Sequence, residues 1–422
     1  MTRRSFAVGL LISLWAPGLA AQTIYFYQRG YVAGGREPAS RLTDAALAAF
    51  RRRRPEVDVR LVGVPWRREG DLKLRAALLN RRRIDLFRLP HDQLADFLPA
   101  GRQLLSPVGP YLTEADRADF GPGVLAAVTH DGRVMAWPLW STTLSLIVNV
   151  RLAEQAGLAL PAPEAPWTWE EFVGALGRMS ELTDAAGRSL WGLTAAARPP
   201  LFEWSPLLAA HAGEIFIRPA EPTSATWTFA PGLTEGLERV AELRRLGLTP
   251  RSFGTDDQPA VQEQFLAGRA GFILSTPALI RTLAARSVDF RVLPPPTGAL
   301  GRPITTGALG CIAVVAHPEA PERTEAAHAL ARYLTSAEVA EDAPGWYLAT
   351  PARASVTAFA EDPVYADLMR ISRTAIFLAP PGGVGFLEST IIPAFQAAIL
   401  GDVPAAEALA AVERAYARRA LR

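Results

Sequence analysis

The chain has 422 residues, more than one hydrophobic core sustains, and this points to two or three domains. Its 44 lysines and arginines nearly balance 42 aspartates and glutamates, so no global field draws it to nucleic acid or to an anionic membrane. A single cysteine, Cys311, excludes an intramolecular disulfide and a thiolate metal cage.

The first residues read as a secretion leader: Arg3 and Arg4, an apolar run over residues 6–15, a break at Pro17 and Gly18, then the small residues Ala20 and Ala21. Such a run is shorter than the roughly 20 helical residues that a bilayer core requires. Cleavage is therefore expected near Ala20 or Ala21, leaving a mature chain that begins near Gln22, and the formal charge of +2 departs with Arg3 and Arg4. The string TRRSF leaves both general secretion and twin-arginine export open. No lipid-acceptor cysteine follows, so a free periplasmic protein is expected, and no later segment reads as long and apolar enough to span a membrane.

Strands are predicted over residues 23–27, 57–64 and 84–89, alternating with helices over 42–50, 72–79 and 92–98. This β-α-β order implies a mostly parallel sheet with helices on both faces. The arginine runs 51–54 and 81–83 follow the first two helices, where a solvated last turn faces the negative end of the helix dipole. A turn at Asp131 and Gly132 precedes a strand over 134–137 and an apolar run over 144–150. Thr168 is placed to cap a helix over 169–179, with Glu171 at the capping-box spacing. Further units follow at 191–195, 234–246, 261–267, 271–275 and 290–293, where prolines 294–296 stop the strand. A strand over 310–316, a helix over 322–334 and a mainly helical tail from 363 complete the pattern. Cys311 falls inside the apolar ALGCIAVVA and reads as a buried small hydrophobe. Periodicity gives two α/β lobes.

The stretch IDLFRLPHDQLADFLPAGRQLLSPVGP (84–110) resembles the bacterial extracellular solute-binding protein family 1, the maltose-binding-protein-like receptors of sugar ABC importers. Asp85, then His91, Asp92 and Gln93, then Gly101, Leu104 and Leu105 carry the match. It continues through DGRVMAWPLWSTTLSLIVNVRLAEQAGL (131–158), with Asn149 closing its strand, and WTWEEF (167–172). Later echoes are FLAGRAGFILSTPAL (265–279), VLPPPTG (292–298), ALARYLTSAE (329–338) and TPARASV (350–356). The resemblance implies a two-lobed periplasmic binding protein fold of type II, with three hinge crossings near Trp140, Gly307 and Thr350. Residues 22–140 plus 308–349 would form the N-terminal lobe and residues 141–307 plus 350–422 the C-terminal lobe. It further implies a monomer that captures a sugar or polyol in the cleft between the lobes by hinge closure and delivers it to a membrane permease, without a cofactor.

A sugar offers apolar faces and a rim of hydroxyls, so its receptor needs aromatic plates and polar forks, placed in an open α/β sheet beyond the strand ends. His91, Asp92 and Gln93 follow a strand and Pro90; the resemblance gives Asp92 a role on sugar hydroxyls, with a helix cap as its structural alternative. Trp140 and Thr142 sit at the first crossing, where Thr142 stands in the place of a family carboxylate. Trp204 in PLFEWSPLL, beside Phe202 and Glu203, is either a sugar platform or core. Ser275 and Thr276 end a strand, Gly307 lets a ligand approach the backbone, Trp346 and Tyr347 lie near the third crossing, and Arg353 either meets a ligand or makes a hinge ion pair. The five histidines show no metal-ligand spacing, and no nucleophile elbow or phosphate loop occurs. Two rivals remain: Arg29 and Arg353 leave room for a glycerol phosphate or related ligand, and a secreted carbohydrate-active enzyme would require two facing carboxylates.

Overall fold

The computed structural model describes residues 22–36, 38–65, 68–80, 83–98, 104–197, 203–217, 227–341, 349–358 and 360–420. The leader, Arg81, Arg82, Gly101, Phe202, Trp346 and Tyr347 lie outside the described residues.

β1 (Gln22–Arg29), buried throughout its second half, and the half-buried β2 (Val57–Val64) are joined through helix Pro38–Arg53 and paired in parallel along their length. Arg51, Arg52 and Arg53 occupy the exposed last turn of that helix, as the dipole favours. β3 (Leu86–Pro90) lies parallel to β1 on its other side. Asp131 and Gly132, both at positive φ, turn the small hairpin of β4 (Thr129–His130) and β5 (Arg133–Val134). β6 (Trp137–Thr143) and β7 (Ser145–Asn149) are separated only by Leu144 yet belong to different sheets. β8 (Trp191–Ala195) follows, then a short ribbon of β9 (Phe216–Ile217) and β10 (Thr228–Phe229), then β11 (Ala270–Ser275) and β12 (Phe290–Leu293). The chain returns as β13 (Thr305–Val314), and ends its strands with β14 (Thr350–Pro351) and β15 (Ala375–Phe377).

The first sheet has the order β14-β6-β13-β3-β1-β2, with β15 also on β13; the second has the order β12-β7-β11-β8. Each has its own core. Phe26, Phe87, Trp137 and Val314 belong to the first, and Leu146, Phe172, Phe272 and Phe395 to the second. Each fully buried side chain of this size contributes about 1.5–3 kcal/mol. The expected capping box is present: Glu171 N–H donates to Thr168 Oγ1 (3.3 Å) and Thr168 N–H to Glu171 Oε2 (2.8 Å). Cys311 is buried in β13, 3.4 Å from Leu89 O, and burial pushes its thiol up.

Four expectations need correction. The sheets are mixed rather than mostly parallel, because strands arriving from the other lobe run opposite to their neighbours: β13 is antiparallel to β3 and β6, and β7 to β11 and β12. Ladder pairing in the first sheet continues a few residues past the expected crossings. Ser141–Thr143, Thr305–Gly307 and Thr350–Pro351 all pair within the first sheet, and β15 joins it from a tail read as helical. The helix expected over 92–98 is a 3-10 helix, His91–Phe97, entered from Pro90 without a side-chain cap, so Asp92 does not cap it. Finally, the helical run Gly383–Leu400 is long and apolar enough to cross a membrane by length and composition, yet Phe386, Ile391 and Phe395 pack in the second core.

Candidate functional site

The start of β13 lies where the two sheets meet. Leu144, the single residue between β6 and β7, donates its N–H to Thr306 O at 2.9 Å. Gly307 pairs with Thr143 on one side and Phe377 on the other. A Cβ at Gly307 would fall 2.4 Å from Thr142 O, so the close approach of the strands requires glycine there.

Above this strand is a recess of ≈ 490 Å³. His91 and Asp92 enter from the carboxyl end of β3, Thr306, Gly307 and Ala308 form its floor, Ser205 and Phe216 come from the second lobe, and Leu378, Pro380 and Leu387 from the C-terminal segment. This is the strand-end position where open α/β sheets bind ligands. A second recess of ≈ 990 Å³ shares Phe216 and Leu378 and is walled by Gly123, Ala126 and Ala127 of helix Glu114–Ala127.

The chemistry of the first recess is uneven. Burial pushes Asp92 up to about 6, opposed by the backbone amides of Gln93 and Asp92 and by the Arg29 guanidinium. Its Oδ1 is buried with no hydrogen-bond partner among the described residues, leaving an acceptor for a ligand. His91 Nδ1 accepts from Leu309 N–H at 3.1 Å, which puts the ring proton on Nε2, and burial pushes its pKa down to about 4. The imidazole is thus neutral at physiological pH. Ser205 Oγ meets Thr306 Oγ1 at 2.5 Å, tying the second-lobe wall to the floor.

Of the residues expected in the cleft, the structure brings His91, Asp92 and Gly307 together. Gln93 lies next to them, but its Oε1 accepts from Arg29 Nη2 at 2.9 Å, and Arg29 also pairs with Asp71. Thr142 stands in the β6 ladder opposite Ala308. Trp140 turns toward a separate recess of the first lobe, with Arg88 5.2 Å from its ring centroid and Gly310 beneath it.

The remaining candidates lie buried away from the recess. Trp204 is fully buried in the second core, 6.2 Å from the Phe395 ring, so it is core rather than platform. Ser275 is fully buried and donates to Glu203 Oε1, and Thr276 is buried beside it. Arg353 bonds Asp116 at 2.9 Å and Asp119 at 3.0 Å, within the first lobe. Asp85, at the other end of β3 from the recess, is fully buried against Tyr25 N–H, His317 and Arg323.

Sequence reasoning missed Ser205, Phe216, Leu378 and Leu387. Ser205 follows Trp204 directly, and Pro380 after the apolar run AIFLA marks the segment of Leu378; nothing local marks Phe216.

A family model described as bacterial extracellular solute-binding protein matches residues 34–341. The chain belongs to this family. That places it in the periplasm or outside the cell. The maltotriose-binding protein of Pyrococcus abyssi is 25% identical over 212 residues, a match spanning 50% of this chain and 42% of the relative. Among solved structures, a cyclo/maltodextrin-binding protein complexed with maltotetraose superposes with a TM-score of 0.77 at 16% identity, covering 94% of this chain and 97% of the other. The Thermus thermophilus maltotriose-binding protein bound with maltotriose gives 0.66 at 22%, covering 92% and 99%. At these identities the structural likeness establishes the two-lobed fold.

Proposed function

We propose that this family member is the substrate-binding component of an ABC importer that captures a sugar by lobe closure and hands it to a membrane permease. The observation that carries this reading is Asp92 Oδ1, an unpartnered acceptor in a recess to which both lobes and β13 contribute. Contacts from both lobes favour the closed arrangement, and a ligand shifts the equilibrium by its differential affinity for the two forms. The relatives named for maltotriose and maltodextrin support a carbohydrate ligand. The N-terminal leader supports export to the periplasm, followed by cleavage near Ala20 or Ala21. The lobes that move carry the two sheets: residues 22–143 and 305–353 with β15 in the first, and residues 145–293 with the C-terminal helices of the second core in the other, the chain crossing at Leu144, ahead of Thr305 and again after Arg353.

The rivals fare worse. Arg29 and Arg353, which left a phosphate ligand open, are both held in ion pairs. Asp92 is the only carboxylate among the described residues lining the recess, whereas glycoside hydrolysis uses two.

A thermal-shift screen of the mature chain against maltotriose, maltose, polyols and glycerol phosphates tests this. Ligand at 100 times its Kd stabilises the fold by about 2.7 kcal/mol. Asp92→Asn is expected to weaken binding by about 10- to 100-fold through loss of a charge-assisted hydrogen bond. Shifts with phosphorylated solutes alone, or consumption of the sugar, would overturn the proposal.

A further inference from the structure

Ala196, just past the carboxyl end of β8, and Glu203 meet in a neck, and Glu203 is a fully buried acid that the ligand reading leaves unused. Main chain and side chain of Glu203 both close on Ala196. Glu203 N–H donates to Ala196 O at 3.1 Å, and Ala196 N–H donates to Glu203 Oε2 at 3.1 Å. Its other oxygen accepts from Gln258 Nε2 at 3.0 Å and Ser275 Oγ at 3.2 Å. One carboxyl thus joins the Ala196–Glu203 neck to the end of β11 and to helix Gln258–Leu266. Two residues on, Ser205 meets Thr306 on the floor of the recess.

No cation pairs with Glu203 among the described residues. On and just before the packed helix the charged groups are Asp256, Asp257 and the exposed Glu263; Asp256 accepts from Ser252 and Gln264, and Asp257 accepts from Ala260 N–H as the helix cap. β8 and β11 present no charged side chain within their spans. Burial is the largest influence on the acid and raises its pKa, while Gln258, Ala196 and Ser275 oppose the rise.

We propose that Glu203 is a positioning residue for the second-lobe wall of the cleft, and that its proton makes ligand capture sensitive to pH near neutrality. The proposal rests on the ligand-capture reading. When the acid is protonated, its O–H needs an acceptor, and Ser275 Oγ can reverse to supply one. When it is ionised, all three donors point at it, but a buried charge without a cation favours release of the neck into water. The pinned neck is therefore most stable at low pH and loosens as pH rises toward neutrality.

Two measurements on the mature chain decide this. The first is hydrogen exchange of peptides covering residues 196–205 in ligand-free protein, corrected for intrinsic rate, at pH 5.5, 7 and 8.5. Protection is expected to fall about tenfold across the range in the native chain and to stay level in Glu203→Gln, since one unit of pKa difference is a factor of ten. Ser275→Ala, which removes one donor to the carboxylate, should move the midpoint to higher pH. The same pH response in Glu203→Gln as in the native chain would overturn the proposal. The second is calorimetric titration with maltotriose from pH 5.5 to 8.5, where Kd should rise about tenfold for the native chain only. If no sugar of the thermal-shift screen binds at any pH, the sugar reading fails, and the exchange data still decide the role of Glu203.

Discussion

Replacing Arg353 with methionine separates a structural arginine from a ligand-binding one. Its side chain is only 8% exposed, and those of Asp116 and Asp119 are 10% and 17% exposed. The guanidinium bonds both acids, donates through Nε to Thr335 O, and lies 4.1 Å from the Phe120 ring centroid. Methionine keeps much of the apolar stem over Phe120 and removes only the charge and the donors. Breaking a buried pair costs about 3–5 kcal/mol because uncompensated charge remains. The lower end applies here, since Asp116 keeps Arg332 at 2.9 Å and Asp119 keeps the Ser355 N–H and hydroxyl. A loss of about 3 kcal/mol corresponds to roughly 4 °C in Tm for a chain of this length unfolding as one unit. Scanning calorimetry at pH 7 measures it, and titration with maltotriose should return an unchanged Kd. The acids are held below the usual carboxylate range, with Thr113 and Arg353 opposing burial at Asp116, and Arg353 and Ser355 opposing it at Asp119. Their contribution is present above the unfolded carboxylate pKa and is lost as pH falls, so the penalty of the variant should shrink below about pH 3. A variant as stable as the native chain but unable to bind ligand would refute the reasoning and return Arg353 to the cleft.

Two further outcomes follow from burial. Trp204→Ala should destabilise the chain by about 3–5 kcal/mol in urea unfolding, through lost contacts and a residual cavity. His328 is held neutral by burial, down to about 3, with Nδ1 accepting from Trp137 Nε1–H and Nε2 facing Ser106 Oγ. Its contribution is present above pH 6.5 and is lost as pH falls toward 3, at about 1.4 kcal/mol per unit. His328→Gln should flatten that acid limb in denaturant titrations at pH 4 to 7.

The regular elements were legible because their signals are local. Thr168 and Glu171 announce a helix start through three residues of spacing, and VDVRLVGV alternates as a half-buried strand must. Side-chain destinations were less legible, because they depend on what arrives from distant sequence. Trp204 is core because Phe395 packs beside it, 191 residues later in the chain. Ser275 is consumed by Glu203, and Arg353 by acids on the helix Glu114–Ala127. The three-residue β15 was hidden in a helical tail, since its pairing with β13 rather than its own composition makes it a strand. Asp92 was placed at the strand end by the family resemblance and by its position after β3, and it lines the recess there.

The order of strands along the chain also sets a schedule for assembly. All four strands of the second sheet lie within residues 145–293, so their pairing can begin as soon as that stretch has been made. The first sheet draws β13 and β14 from residues 305–351 and cannot fill its centre earlier. A growing chain therefore holds β1, β2 and β3 for more than two hundred residues of synthesis without the strand that completes them. In that interval their unpaired edge is open to the wrong strand, and only the late arrival of β13 closes it.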